Sequence, residues 1–156
     1  MIFHEKQQGS MCRMHAINNF IGRQLYTTEQ FNKLCDEFDL SNKFSEMTSK
    51  NDHTFYNNSG IKNIFGYALI KKGISVNMEA FDIHRKQNIE IKDIDIFMGA
   101  IVFNNGHTWC VRNIDDELYI IDSMLVSPSI TQKSYFNNNG LNFVMIYENI
   151  KLPDER

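Results

Sequence analysis

The sequence has little proline, little cysteine and no surplus of basic charge. It holds two prolines, eight glycines and three cysteines in 156 residues, with a net charge of −3. With so few chain breakers no linker stands out, and no repeat of solenoid period is visible. A chain of this length fits one domain, spanning residues 1–156, and a second core would be hard to fill. The lack of basic excess argues against a phosphate-reading surface, so nucleic acid is not an expected partner. Cys12, Cys35 and Cys110 are odd in number and widely spaced, without CxxC or Cys/His ligand spacing. That pattern argues against both a disulfide framework and a zinc site. His53 and His84 stand alone in polar segments and read as solvated rather than metal-bound. No basic leader followed by an apolar run opens the chain, and no apolar run reaches membrane-spanning length. The expected home is a reducing intracellular compartment, cytoplasm or nucleus, with no membrane partner.

What is present suits a packed core. Hydrophobic residues make up 42% and charged residues 22%, and twelve Phe and eight Met supply apolar bulk. Three helices come first. "SMCRMHAINNFIG" opens at Ser10, a natural N-cap, and closes at Gly22, a natural C-cap. Thr27 and Gln30 in "TTEQ" fit a capping box, after which Phe31, Leu34, Cys35 and Phe38 form one helical stripe. A third helix is predicted from about Gly60, with Ile61, Ile64, Phe65, Ala68 and Leu69 on one face and Gly73 as its stop. The polar stretch 39–58 between the last two is long for a bare connection and suggests short helices or a lid. Beyond Gly73 the period falls to two: "ISVNM", "IEIKDIDIF", "GAIVFNN", "HTWCVRNI", "ELYIIDS" and "NFVMIYENI" read as strands. Asn104-Asn105-Gly106 and Asp115-Asp116 are turn signals. Helices followed by an antiparallel sheet make an α+β fold.

Among the thiols, Cys12 falls in the first turn of a helix, where free N–H groups and the helix dipole favour a thiolate. Cys35 lies inside an apolar stripe and Cys110 inside a strand, so both read as structural. A cysteine nucleophile also needs a base. His15, one turn from Cys12, is held along the helix wall and reads as a histidine that packs or hydrogen-bonds locally. His107 opens a strand at the sheet rim. If Asp115-Asp116 is a two-residue turn, Ile114 pairs with Glu117 and His107 lies opposite Met124. Asp122 then shares a face with His107 as its diagonal neighbour, where a carboxylate can orient the imidazole. Spacing alone leaves a second reading open, in which His107 is a turn residue and Asp122 a strand-end cap. Gln7, with the Cys12 backbone N–H, could donate to an oxyanion formed by thiolate attack on a carbonyl. Gln8 competes for that role.

Together these residues resemble the Josephin family of deubiquitinating cysteine proteases. The family pattern H-E-(K/R)-Q, two or three residues, L/M-C, two residues, H, then N-N is matched from His4 through Asn19. A second block, "NGHTWCVRNIDDELYIIDSMLVSP", matches the family's histidine-led strand ending in V-R, with N/D-S-x-L after a short hairpin. "YALIKKG" and "NFVMIYENIKLPD" fit more loosely. The resemblance implies a papain-like fold with Cys12 as nucleophile, His107 as general base and acid, Asp122 as its orienter, and Gln7 rather than Gln8 at the oxyanion. It implies cleavage of the isopeptide or peptide bond after ubiquitin's C-terminal glycine through a thioester, with no metal or organic cofactor. The implied partners are ubiquitin, polyubiquitin chains and ubiquitinated proteins, met by a monomer. Two departures stand out. Thr108 intervenes where the family usually has Trp directly after the histidine, and residues 39–58 match little. The family's aromatic ubiquitin contacts are not reproduced apart from the aromatic character of Tyr26. These departures leave room for an alternative, a weakly active or inactive ubiquitin-binding module of the same fold. A protease for a ubiquitin-like modifier is a further rival.

Overall fold

The computed structural model describes residues 2–7, 11–41, 64–81, 88–104, 106–137 and 140–149. Among the described residues three helices precede six strands: α1 (Cys12–Ile21), α2 (Thr28–Ser41) and α3 (Ile64–Lys71), then β1 (Val76–Phe81), β2 (Phe97–Asn104), β3 (His107–Ile114), β4 (Glu117–Ile121), β5 (Ser129–Thr131) and β6 (Asn142–Glu148). The order is therefore α+β, as the change of period predicts.

The helix signals act as their chemistry requires. Gly22 ends α1 in a left-handed conformation (φ 90°), where its N–H reaches the Asn18 carbonyl. Ser10 lies outside the described residues. The residue directly before α1 is Met11, whose side chain makes no capping bond. At α2 the capping box closes in both directions: the Thr27 N–H donates to Gln30 Oε1 (3.0 Å) and the Gln30 N–H to Thr27 Oγ1 (3.2 Å). Phe31, Leu34, Cys35 and Phe38 are all buried on its inner face. Ile64, Phe65, Ala68 and Leu69 of α3 are buried likewise, whereas Gly60 and Ile61 lie outside the described residues. Only the last turn of α2 is described within the 39–58 stretch, and His53 and His84 also fall outside.

All strand pairs are antiparallel, in the order β1-β6-β2-β3-β4-β5. The β3–β4 hairpin has the register the turn signal implies, with Ile114 opposite Glu117, Val111 opposite Ile120 and Cys110 opposite Ile121. Asp115 and Asp116 both adopt positive φ, 53° and 67°, the conformation a two-residue primed turn demands. Two cores result. Ile101, Cys110, Ile121, Val144 and Ile146 face the helices, against Met14, Ile17 and Phe20 of α1. Ala100, Val102, Val111, Phe143 and Met145 face the other way, against Ile89, Phe136 and Leu141. Burial on both faces explains why β6 is apolar at consecutive positions.

One predicted strand is absent. Of "IEIKDIDIF" only Phe97 is in a strand; residues 94–96 form a turn. Its isoleucines are buried or half-buried against the second core. The backbone bonds go elsewhere: the Ile89 N–H donates to Asn137 Oδ1 (2.6 Å), the Lys92 N–H to the Tyr147 hydroxyl (3.2 Å) and the Asp95 N–H to Asp93 Oδ1 (3.1 Å). Alternating apolar residues thus cover a sheet without joining it. The short edge strand β5 and the 3₁₀ turn Lys133–Asn137 carry no strong pattern and were not predicted.

Residues 2–7 belong to no strand and, apart from a backbone bond from the Gln7 N–H to the Ser123 carbonyl, are held by side chains. Asn19 brackets the backbone of Glu5, accepting its N–H (2.5 Å) and donating to its carbonyl (3.2 Å). Glu5 Oε1 accepts from Asn18 Nδ2 (2.8 Å) and meets His15 Nδ1 at 2.6 Å. Asn18 donates a second bond to the Tyr26 carbonyl (2.9 Å) and accepts from the Leu25 and Tyr26 N–H groups at 2.9 and 3.0 Å. Its carboxamide is saturated, with two donors and two acceptor positions used. Fully buried Asn18 cannot be replaced by water-mediated bonds without opening the core. Asn18→Ala strands several buried backbone groups at about 1–3 kcal/mol each. The expected loss in urea unfolding is on the order of 3 kcal/mol, against about 0.5 kcal/mol or less for Gln24→Ala at the exposed end of the same turn. Equal midpoints for the two variants would contradict the bracket's structural importance.

Candidate active site

Cys12 is the first residue of α1, and that turn holds no acidic residue and no side-chain cap. The partial positive charge of the helix end is therefore not offset locally. Cys12 is 9% exposed and lies outside both apolar cores. Cys35 and Cys110 are fully buried in the first core, and burial pushes the Cys110 thiol well above its ordinary range.

At the far end of the hairpin, His107 Nε2 and Asp122 Oδ1 are 2.6 Å apart. The register explains the contact: continuing the Ile114–Glu117 ladder puts Asp122 diagonal to His107 on the same face. Asp122 is held from several sides. Its Oδ1 accepts the Met124 N–H (2.9 Å), and its carbonyl accepts from His4 Nε2 (2.8 Å) and the Leu125 N–H (3.0 Å). The Thr108 departure has a simple geometric result. Thr108 is buried on the helix side of β3, and Trp109 returns to the face of His107. The indole stacks on the imidazole at 5.6 Å between centroids, while its Nε1–H donates to the Tyr135 hydroxyl (3.0 Å). Burial raises the Tyr135 phenol above its ordinary value, so it remains a neutral partner.

Gln7 is fastened to the residue after Asp122. Its N–H donates to the Ser123 carbonyl (2.8 Å), and its Oε1 accepts the Ser123 hydroxyl (3.0 Å). Gln8 lies outside the described residues. A surface cavity of about 410 Å³ borders this pair, lined by Lys6, Gln7, Ser123, Met124, Leu125 and Val126. A cavity of about 390 Å³ lined by Asp95, Arg112, Asn113 and Asp115 lies toward the opposite end of β3 and includes none of the four candidate residues.

The structure thus joins His107 to Asp122 and Gln7 to Ser123 by hydrogen bonds. Among the described residues no hydrogen bond joins Cys12 to these four; the helix it opens, α1, packs against β3 and β4. His15 is buried, with its Nδ1 bonded to Glu5. Tyr26 is buried too. Its hydroxyl donates to the Ala68 carbonyl (2.5 Å), and burial, with Tyr67 and Glu37 nearby, pushes the phenol up to about 12. His4 and Ser123 had no role assigned from sequence. Their signal was membership in the two matched blocks. Among the described residues no group of three His, Cys, Asp or Glu side chains could hold a metal, and no helix is long and apolar enough to cross a membrane.

Comparison with known proteins places the chain in a family. The Josephin family model matches residues 7–142. Ataxin-3 from Homo sapiens is 23% identical over 145 residues, covering 86% of this chain and 40% of the relative. Ataxin-3 from Rattus norvegicus is 23% identical over 145 residues, with 86% and 41% covered. The Josephin-like protein of Arabidopsis thaliana is 26% identical over 146 residues, with 83% and 40% covered. The chain spans about 40% of the length of these curated relatives. With a family match over most of its length, the chain belongs to the Josephin family of ubiquitin-related proteases.

Proposed function

We propose that this chain is a deubiquitinating cysteine protease that cleaves after ubiquitin's C-terminal glycine. The observation that carries this reading is the 2.6 Å bond between His107 Nε2 and Asp122. It occupies one ring nitrogen and leaves Nδ1 as the proton acceptor for the Cys12 thiol. In the first half-reaction Cys12 Sγ attacks the glycine carbonyl as its proton passes to His107. The tetrahedral oxyanion takes hydrogen bonds from the Cys12 N–H and the Gln7 carboxamide. His107 then protonates the departing lysine amine as the C–N bond breaks, leaving a thioester. Water, deprotonated by His107, attacks the thioester, and the ubiquitin carboxylate and the thiol are released. Asp122 stabilises the imidazolium in both halves. None of these steps calls on a metal or an organic cofactor. The substrates are ubiquitin chains and ubiquitinated proteins, and a monomer in a reducing compartment, cytoplasm or nucleus, suits a free thiol.

A ubiquitin derivative with a C-terminal thiol-reactive group should form an adduct with the wild-type chain and none with Cys12→Ala. An adduct that survives the substitution would defeat the assignment, and ubiquitin binding without adduct or cleavage would favour the non-catalytic module. The two histidines separate by different measurements. His107→Ala should lower kcat by a factor of about 10² or more, with little change in the unfolding midpoint. His15→Ala removes one of the two side-chain partners of half-buried Glu5 and should instead cost stability, on the order of 1–2 kcal/mol, with turnover retained in the folded fraction. The opposite assignment of losses would remove His107 from the mechanism. Alkylation by iodoacetamide at neutral pH should label Cys12 and leave Cys35 and Cys110 unmodified until the chain is unfolded, as read by peptide mass.

A further inference from the structure

We propose that Ser123 is a positioning residue that sets which end of the Gln7 carboxamide faces the reaction. This rests on the acyl-transfer reading above. A carboxamide has two ends of nearly equal size, and only the NH₂ end can donate to an oxyanion. A glutamine whose amide turns over would present its carbonyl oxygen to that negative charge half of the time. The Ser123 hydroxyl removes the ambiguity by donating to Gln7 Oε1 at 3.0 Å. With Oε1 engaged by Ser123, the NH₂ end of the same planar carboxamide is held in one orientation.

The clamp is built to hold. The Gln7 N–H to Ser123 carbonyl bond (2.8 Å) fixes the backbone beneath the side chain, so the two residues meet at two points. Ser123 is 5% exposed, and water competes weakly for its hydroxyl. The turn that carries it is itself anchored through Asp122, by His4 and by the Met124 and Leu125 N–H groups. Consecutive residues thereby serve the two halves of the chemistry. Asp122 orients the base and Ser123 orients the oxyanion donor, so any shift of this turn disturbs both together.

The test is a double-mutant cycle on hydrolysis of a ubiquitin C-terminal fluorogenic amide. Ser123→Ala should lower kcat by about five- to tenfold, the worth of one hydrogen bond, with KM unchanged. Gln7→Ala should cost about 10²-fold, and adding Ser123→Ala to it should cost nothing more. Ser123→Thr, which keeps the hydroxyl, should retain the wild-type kcat. Ser123→Cys, close in size but a weak donor, should lose it as Ala does. The same factor lost in both Gln7 backgrounds, a loss confined to KM, or no loss at all would overturn the role of Ser123. A wild-type chain without turnover that depends on Cys12 would instead overturn the proposed function on which it rests.

Discussion

The bracket formed by Glu5, His15, Asn18 and Asn19 is the constraint on which the candidate site depends. An extended segment with no ladder partner must satisfy its polar groups through side chains, and buried carboxamides do that in fixed geometry. Asn19 supplies both bonds to the Glu5 backbone, and saturated Asn18 ties the same residue to the connection after α1. The segment is thereby registered against α1 and delivers His4 and Gln7 to the turn after β4. The polar residues that cluster around Cys12 in sequence thus serve largely to hold residues 2–7 against α1.

The second constraint is the sheet. Three helices followed by an antiparallel sheet form the papain-like α+β fold of the Josephin family. Burial of the central strands on both faces specifies register strongly, because a slip of one residue would exchange the two cores. The tight turn at Asp115-Asp116 then fixes β3 against β4. Asp122 meets His107 as a consequence of that count, with the carboxylate further held by the Met124 N–H.

Departure from the family pattern at Thr108 changes packing without changing the count. A tryptophan directly after His107 would point to the helix side of β3, since neighbouring residues alternate across a strand. One place later it stands on the imidazole face and is fastened to Tyr135 in the 3₁₀ turn. The turn is itself part of the second core through Phe136, so that core supports the ring of the candidate base.

Much of this was legible in the chain of letters, where the signals are local. The capping box at Thr27 and Gln30, the stop at Gly22, the stripe of α2 and the hairpin turn at Asp115-Asp116 each depend on a few adjacent residues, and a two-residue turn there puts His107 and Asp122 on one face while leaving their roles open. The isoleucines of 89–96 show where such reading fails. Alternation records burial, and it does not record whether the backbone finds a strand or a set of side chains to bond. Long-range contacts were equally hidden: nothing near Ser123 in sequence says that its hydroxyl meets Gln7, and nothing near His15, which reads as packing or bonding locally, says that its partner is Glu5. Residue types, spacing and register nominated the candidate chemistry, leaving the role of His107 and the choice of Gln7 over Gln8 open. Which side chains hold it in place was decided only by tertiary structure, because those bonds join segments that the sequence separates by up to more than a hundred positions and that only burial brings together.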